Sequence, residues 1–80
     1  MVAESIRKRY DEDNDILYIG FPNERGKSYA DEGPLGIEVM RDMDTDEITG
    51  IMVYYPKKKQ EDRQAKLQEM GYDFKLKDMV

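Results

Sequence analysis

The sequence predicts an α+β fold, in which a four-stranded antiparallel β-meander is followed by one C-terminal α-helix. Two runs of β-forming residues indicate the sheet, since 16–21 and 48–55 are apolar on both faces and each is followed directly by a proline. The periodicity then changes, because 57–70 has no β-branched residue and is dense in strong helix formers. The expected domain, 1–80, has three parts: the sheet at about 5–55, the helix at about 57–70 and a tail at 71–80.

The first predicted strand, 5–10, has the composition of an edge strand. Its apolar residues alternate weakly with charged ones, and charges at a sheet edge discourage pairing with another sheet. Residues 11–15 are aspartate, glutamate and asparagine, which suit a hairpin turn. The second strand, 16–21, carries Ile16 and Tyr18 on one face and further apolar residues on the other. We therefore expect it to be central, with a neighbour on each edge and a cover on each face.

The third and fourth predicted strands, 35–40 and 48–55, are expected to form a hairpin, with Leu35 opening the third strand. Residues 22–34 form a long polar connection, in which 28–31 has the composition for brief pairing along a neighbouring strand. If the apolar odd-numbered residues of both strands share one face, the numbers of paired residues must have an even sum. The connecting loop is therefore expected to have three or five residues.

The predicted helix has a narrow apolar face. Leu67 and Met70 share one side, with the aliphatic stem of Arg63 beside them, and Gly71 is well placed to end the helix. Such a narrow face predicts a helix that packs loosely or lies against a partner. In the segment 72–80, apolar and polar side chains alternate over the five residues 72–76, which fits either a short extra strand or a disordered tail, and we favour the tail.

The composition excludes several classes of function. The 80 residues include no cysteine and no histidine, which excludes disulfides and thiolate chemistry and removes the commonest general base and metal ligand. No apolar run reaches the roughly 18 residues of a membrane span. The N-terminus lacks the basic and apolar regions of a signal peptide. We therefore expect a cytoplasmic protein that binds neither a membrane nor a cofactor.

The charge distribution favours a protein partner over nucleic acid. The net charge is −5, and residues 1–56 carry 13 acidic side chains against 6 basic ones. Nucleic-acid binding depends on basic side chains that neutralise phosphates, so an acidic body argues against it. An acidic surface instead suits a basic protein partner.

Two acidic loops with carboxylates at every second position are the candidate metal sites. Their members are Asp11, Asp13 and Asp15 in the first loop and Asp42, Asp44 and Asp46 in the second. A full calcium loop requires glycine at its sixth position and glutamate at its twelfth, and neither loop has either residue. We therefore expect solvated hairpin turns. In a meander both loops lie at one end of the sheet, about 10 Å apart. That shared acidic rim is the alternative site, for a weakly bound divalent cation or for acid–base catalysis.

The uncovered face of the sheet predicts self-association. One helix closes one face and leaves several apolar side chains on the other, which is a patch as large as monomers usually tolerate. The exposed set is either Tyr18, Met52 and Tyr54 or the set that contains Ile19, Val53 and Tyr55, and the first three are our interface candidates. Because a two-fold dimer makes such a patch its own complement, we expect a homodimer, with a dedicated partner as the competing cover.

Several short motifs resemble a known family. The pair Tyr10-Asp11, then Asp15 before Leu17-Tyr18-Ile19, then an acidic segment ending in Gly50-Ile51 resemble the small prokaryotic proteins of the domain of unknown function 2283 family. The resemblance covers about residues 6–55, with departures at Asp46-Glu47, where the family usually has Asp-Gly, and in the longer connection over 22–34. It implies a small β-meander without an assigned activity, some of whose members are suspected partners of toxin-like neighbours.

Together these observations predict a protein that is not an enzyme and has no catalytic residue. We expect it to act by protein–protein contact, as an antitoxin-like protein or an interaction module. The alternative is a metal-dependent or acid–base enzyme that uses the acidic rim.

Overall fold

A computed structural model describes residues 6–80, which form one antiparallel sheet, one α-helix and one 3-10 helix. The strands are β1 (Arg7–Asp11), β2 (Ile16–Gly20), β3 (Ser28–Glu32), β4 (Ile37–Asp42) and β5 (Ile48–Tyr54); the helices are α1 (Gln60–Glu69) and the 3-10 helix (Leu76–Asp78). The α+β class and the C-terminal helix are confirmed. The predicted first residue of the sheet, residue 5, and the signal-peptide prediction fall on residues 1–5, outside the described range.

The prediction of four strands in meander order is wrong, because the sheet has five strands in the order β1-β2-β5-β4-β3. The additional strand, β3, lies in the long polar connection and pairs with β4 along the far edge. Four of its five residues are exposed, so its pairing depends on backbone hydrogen bonds and leaves little hydrophobic pattern in the sequence. The two strands that are apolar on both faces, β2 and β5, pair in the middle, where neither has a free edge.

The predicted register of the β4–β5 hairpin is confirmed for most of its length. Ile37 pairs with Val53 and Val39 with Ile51, so these paired numbers have an even sum, and five residues, 43–47, separate the two strands. Next to the loop the register shifts by one residue, so that Arg41 pairs with Ile48 and the sum becomes odd. Leu35, however, lies before β4 in a turn and is 81% exposed, so its predicted place in the strand is wrong. Gly36 follows it with a φ of 86°, which takes the chain out of extended geometry at this point.

The core lies on the face of the sheet that α1 covers. Its sheet residues are Leu17, Ile19, Ile37, Ile51 and Val53, which are at most 2% exposed, and they pack against Leu67 of α1 and Leu76 of the 3-10 helix.

Polar contacts hold α1 at the end of this face. The Nε of the buried Arg63 donates a 2.7 Å hydrogen bond to the Tyr54 carbonyl, and the Nζ of Lys66 donates a 3.2 Å hydrogen bond to the Leu35 carbonyl. The guanidinium of Arg63 fills the space beside Gly36, where an added Cβ would lie 2.2 Å from its central carbon. Arg63 therefore anchors a helix whose apolar face is narrow.

Residues 71–80 form neither the predicted tail nor an extra strand. Gln64 of α1 makes two hydrogen bonds with the backbone of this segment, 2.5 Å to the Phe74 carbonyl and 2.9 Å from the Leu76 amide. The rings of Tyr72 and Phe74 stack with centroids 5.6 Å apart. Because α1 has a narrow apolar face, it leaves part of the core open, and this C-terminal segment closes it with Leu76, which is 0% exposed.

Candidate functional site

Asp15, in the first acidic loop, has its carboxylate in the interior. The residue is 6% exposed, and its φ of 54° turns the chain into β2. The carboxylate accepts hydrogen bonds from the Tyr10 hydroxyl at 2.8 Å and from the backbone amides of Lys57 at 3.1 Å and Lys58 at 3.0 Å. Its backbone carbonyl accepts from the amide of Tyr55 at 2.7 Å. Asp15 thus joins the first hairpin to the junction between β5 and α1, and α1 begins at Gln60 and not at the predicted residue 57.

The hydrogen bonds to Asp15 decide its protonation. Burial disfavours the charged carboxylate, but the donors from Tyr10, Lys58 and Lys57 outweigh burial and hold the pKa of Asp15 below its ordinary value of 3.8. The same bond to Asp15, with partial burial and nearby carboxylates, raises the pKa of Tyr10 to about 12. Asp15 was a predicted metal candidate, and its two oxygens instead receive these three donors.

The second acidic loop repeats the turn chemistry of the first. Asp42 accepts hydrogen bonds from the backbone amides of Asp44 at 2.7 Å and Thr45 at 3.0 Å. Asp11 does the same in the first loop, from the amides of Asp13 at 3.1 Å and Asn14 at 3.3 Å. The side-chain amide of Asn14 also donates to Asp11 at 2.8 Å, and this bond, together with the backbone bonds, lowers the pKa of Asp11. The backbone bonds lower the pKa of Asp42.

Asp46 occupies the position in the second loop that Asp15 occupies in the first. Its φ is 64°, and its carboxylate accepts a 2.5 Å hydrogen bond from the Tyr29 hydroxyl. Unlike Asp15 it is exposed. Asp13 and Asp44, the middle aspartates of the two loops, are also exposed.

The predicted acidic rim, with all six aspartates at one end of the sheet, is wrong. The first loop lies at the end of the sheet where Ile16 pairs with Tyr54, and the second lies at the opposite end, next to Ile48. The reason is the strand order: β5 inserts next to β2, so β4 runs parallel to β2 and its hairpin turns at the other end. Within residues 6–80, no three acidic side chains converge in a geometry that would hold a metal ion.

The three interface candidates lie together on the face of the sheet opposite α1, which we call the open face. Tyr18 pairs with Met52, and Tyr54 lies two residues further along β5. All three are half-buried. The other predicted set divides: Ile19 and Val53 are 0% exposed beneath α1, whereas Tyr55 is 46% exposed after the end of β5. The helix therefore covers the odd-numbered face and leaves the first predicted set uncovered by it.

Tyr18 lies across a pair of glycines on the open face. Gly20 of β2 pairs with Gly50 of β5, and a Cβ at Gly50 would lie 3.2 Å from the Tyr18 hydroxyl oxygen and 2.7 Å from the Ile19 carbonyl oxygen. The ring thus covers backbone that glycine leaves bare, which explains why β5 tolerates glycine at its centre.

The hydroxyls of both open-face tyrosines donate to glutamates. Tyr18 donates to Glu24, which also forms a 3.3 Å ion pair with Arg7. Tyr54 donates to Glu38 at 2.8 Å. Burial and the Glu24 bond raise the pKa of Tyr18 to about 12, and the Glu38 bond raises the pKa of Tyr54. Both rings are therefore held in fixed orientations by acceptors within the chain.

A basic groove borders the open face along β1. Its basic side chains are those of Arg7, Arg9 and Arg25, next to Tyr18 and Glu24. Lys8 also lines the groove, but its Nζ donates a 3.2 Å hydrogen bond to the Asp78 carbonyl on the opposite face. The charge of long segments does not reveal this local positive patch on an acidic chain. The sequence signal for this patch is the alternation of side chains along β1, which places Arg7 and Arg9 together on the open face.

Among residues 6–80 there is no helix of the length and apolarity needed to cross a membrane.

Comparison with known proteins identifies a family. The family model described as "Protein of unknown function (DUF2283)" matches residues 7–55, which is more than half of the chain and confirms the suspected resemblance. The match runs from β1 to the end of β5 and leaves out α1 and the 3-10 helix. No curated protein and no solved structure matches the chain.

Proposed function

As the chain belongs to the DUF2283 family of proteins of unknown function, we propose from its geometry that it acts by protein–protein contact through the open face. The observation that carries this proposal is the set of three adjacent side chains Tyr18, Met52 and Tyr54 on the face opposite α1. Tyrosine and methionine are enriched in the cores of protein interfaces, where a tyrosine ring buries a large area and its hydroxyl keeps a polar partner.

The fixed rings support the same proposal. Each tyrosine hydroxyl already has a carboxylate acceptor within the chain, so binding orders few further rotamers and its entropic cost is low. Aromatic side chains that are held in fixed orientations at a docking surface are typical of the residues that contribute most of the binding free energy. We propose no catalytic role, no metal and no cofactor for the chain.

The partner we propose is a second copy of the chain, which makes the protein a homodimer. A two-fold axis places the same patch on both sides of the interface, so the open face of one copy covers that of the other without an additional protein. The more specific proposal is an antitoxin-like role in the cytoplasm, in which the acidic surface of the dimer holds a basic partner protein. It is supported by the net charge of −5, which also disfavours nucleic acid.

Sedimentation equilibrium at tens of micromolar tests the docking surface. The variant is Met52→Lys, at the centre of the open face, and the matched control is Met43→Lys, at an exposed methionine of the second acidic loop. We expect the mass of two chains for the wild type and the control, and the mass of one chain for Met52→Lys. Circular dichroism checks that both variants remain folded.

Two outcomes contradict the proposal. One is a wild-type mass of a single chain at every concentration, which would mean that the open face needs no cover. The other is a Met52→Lys variant that associates as strongly as Met43→Lys, which would place the contact on another surface.

A further inference from the structure

The charges on the open face are separated between its two edges. One row of side chains crosses the face at right angles to the strands, and each neighbour in the row is a register partner of the next. In order from the β1 edge to the β3 edge, the row is Arg9, Tyr18, Met52, Glu38 and Glu32. Strands lie about 4.8 Å apart, so its positive end and its negative end are separated by roughly 19 Å.

Both ends of the row keep their charges uncompensated within the described chain. Among residues 6–80, Arg9, Glu32 and Glu38 form no salt bridge, and Arg7 beside Arg9 has one with Glu24. Glu32 and Glu38 are direct cross-strand partners, and like charges in that position repel each other. Each end of the row is therefore suited to an opposite charge supplied from outside the chain.

Two two-fold arrangements can bring the open faces of two copies together. An axis parallel to the strands, placed over β5, sets β1 opposite β3 of the second copy, since β5 is the middle strand of five. An axis perpendicular to the strands sets β1 opposite β1 and β3 opposite β3. The first arrangement pairs the positive edge with the negative edge twice, whereas the second sets like charges against each other at both edges.

We infer that the open face takes a second copy in the first arrangement, with Arg9 facing Glu32 of the partner subunit at both edges. This inference rests on the proposed function and specifies which residues determine the docking geometry. Met52 meets Met52 of the partner subunit at the centre. Sheets packed in this way lie about 10 Å apart with their strands within roughly 30° of each other. Complementary edge charges select one orientation and reject the other.

Charge reversal at the two edges tests the arrangement. Arg9 and Glu32 are both exposed on edge strands, so Arg9→Glu and Glu32→Arg leave the core intact. Each variant alone places like charges opposite each other at both edges of the dimer. We expect each to weaken self-association by about tenfold or more in sedimentation equilibrium. An equimolar mixture of the two variants should restore dimers, because every edge contact in the mixed dimer then pairs opposite charges.

Lys8→Glu is the matched control. Lys8 lies next to Arg9 on β1, but its register partner is the buried Ile19, so its side chain points to the face that α1 covers. The substitution changes the net charge as Arg9→Glu does, and it should leave the association constant unchanged. Circular dichroism of each variant confirms folding.

Three outcomes overturn the inference, and they are separable from failure of the proposed function. If the dimer tolerates both charge reversals but not Met52→Lys, the open face is the docking surface but the proposed arrangement of the two copies is wrong. A mixture of Arg9→Glu and Glu32→Arg that stays monomeric would also show that this arrangement is wrong. Preferential pairing of Arg9→Glu with the wild type would indicate the perpendicular axis. A monomeric wild type would instead overturn the proposed function itself.

Discussion

The two acidic hairpin loops, 11–15 and 42–46, have the same local chemistry and different positions in the fold. In each loop, an aspartate at the end of a strand accepts hydrogen bonds from two backbone amides of the turn. The aspartate four residues later has a positive φ and accepts a hydrogen bond from a tyrosine hydroxyl. The difference lies in that last aspartate. Asp15 reaches the amides that follow β5 and is buried, whereas Asp46 is exposed.

The two loops differ because some of these hydrogen bonds belong to the geometry of the turn, whereas others belong to the tertiary fold. The aspartates with occupied oxygens satisfy the chain's own donors, so their spacing reflects hairpin geometry and not a metal site. Of the two positive-φ aspartates, Asp15 is the one that reaches the junction between β5 and α1, because its end of the sheet is where α1 begins. Tyr10 and Asp15, two of the residues that resemble the family, thus have a structural role here.

The largest expected difference between the loops is in stability. Asp15→Asn removes a buried carboxylate that accepts three hydrogen bonds, and we expect it to lower the free energy of unfolding at neutral pH by about 2–3 kcal/mol. Asp46→Asn is the matched variant, since asparagine also tolerates a positive φ, and its effect should be a small fraction of this. Urea unfolding measures both. Equal losses would mean that the contact with the β5–α1 junction contributes nothing.

A smaller difference is expected in the response to acid. The pKa of Asp15 is lowered in the folded state, so its stabilisation is complete above its ordinary pKa of 3.8 and is lost as the pH falls through the lowered value. The stability gap between wild type and Asp15→Asn should therefore narrow as the pH falls below about 4. Urea midpoints at a series of acidic pH values check this. A gap that stays constant would show that the Asp15 charge is not responsible for it.

The smallest expected effect is that of divalent cations, in which the two loops should behave alike. Asp11, Asp15 and Asp42 already accept hydrogen bonds from their own chain, and neither loop meets the calcium-loop pattern. We expect calcium and magnesium to bind either loop no more tightly than millimolar. Amide chemical shifts of Asp13 and Asp44 during titration report on each loop separately. Saturation of either loop at micromolar metal would contradict the assignment of both as structural turns.

The sequence by itself determined those features that depend on local alternation. Hydrophobic residues on both faces of 16–21 and 48–55 predicted the two strands that now occupy the middle of the sheet, and weak alternation predicted β1 as an edge. Parity predicted a loop of three or five residues in the second hairpin and the even register sums from Ile37–Val53 to Met40–Gly50, although not the shift next to the loop. It also predicted that Tyr18, Met52 and Tyr54 would share a face, since side chains alternate strictly along paired strands.

Only the tertiary structure decided which strands became neighbours. Alternation along a strand shows which side chains share a face, but burial over the whole sheet selects the neighbour of each strand. The pairing of β5 with β2 therefore could not be predicted from either segment alone. That one pairing moved the two acidic loops to opposite ends of the sheet. Likewise, β3 pairs mainly through its backbone, and residues 71–80 become ordered because the narrow face of α1 leaves Leu76 a place in the core.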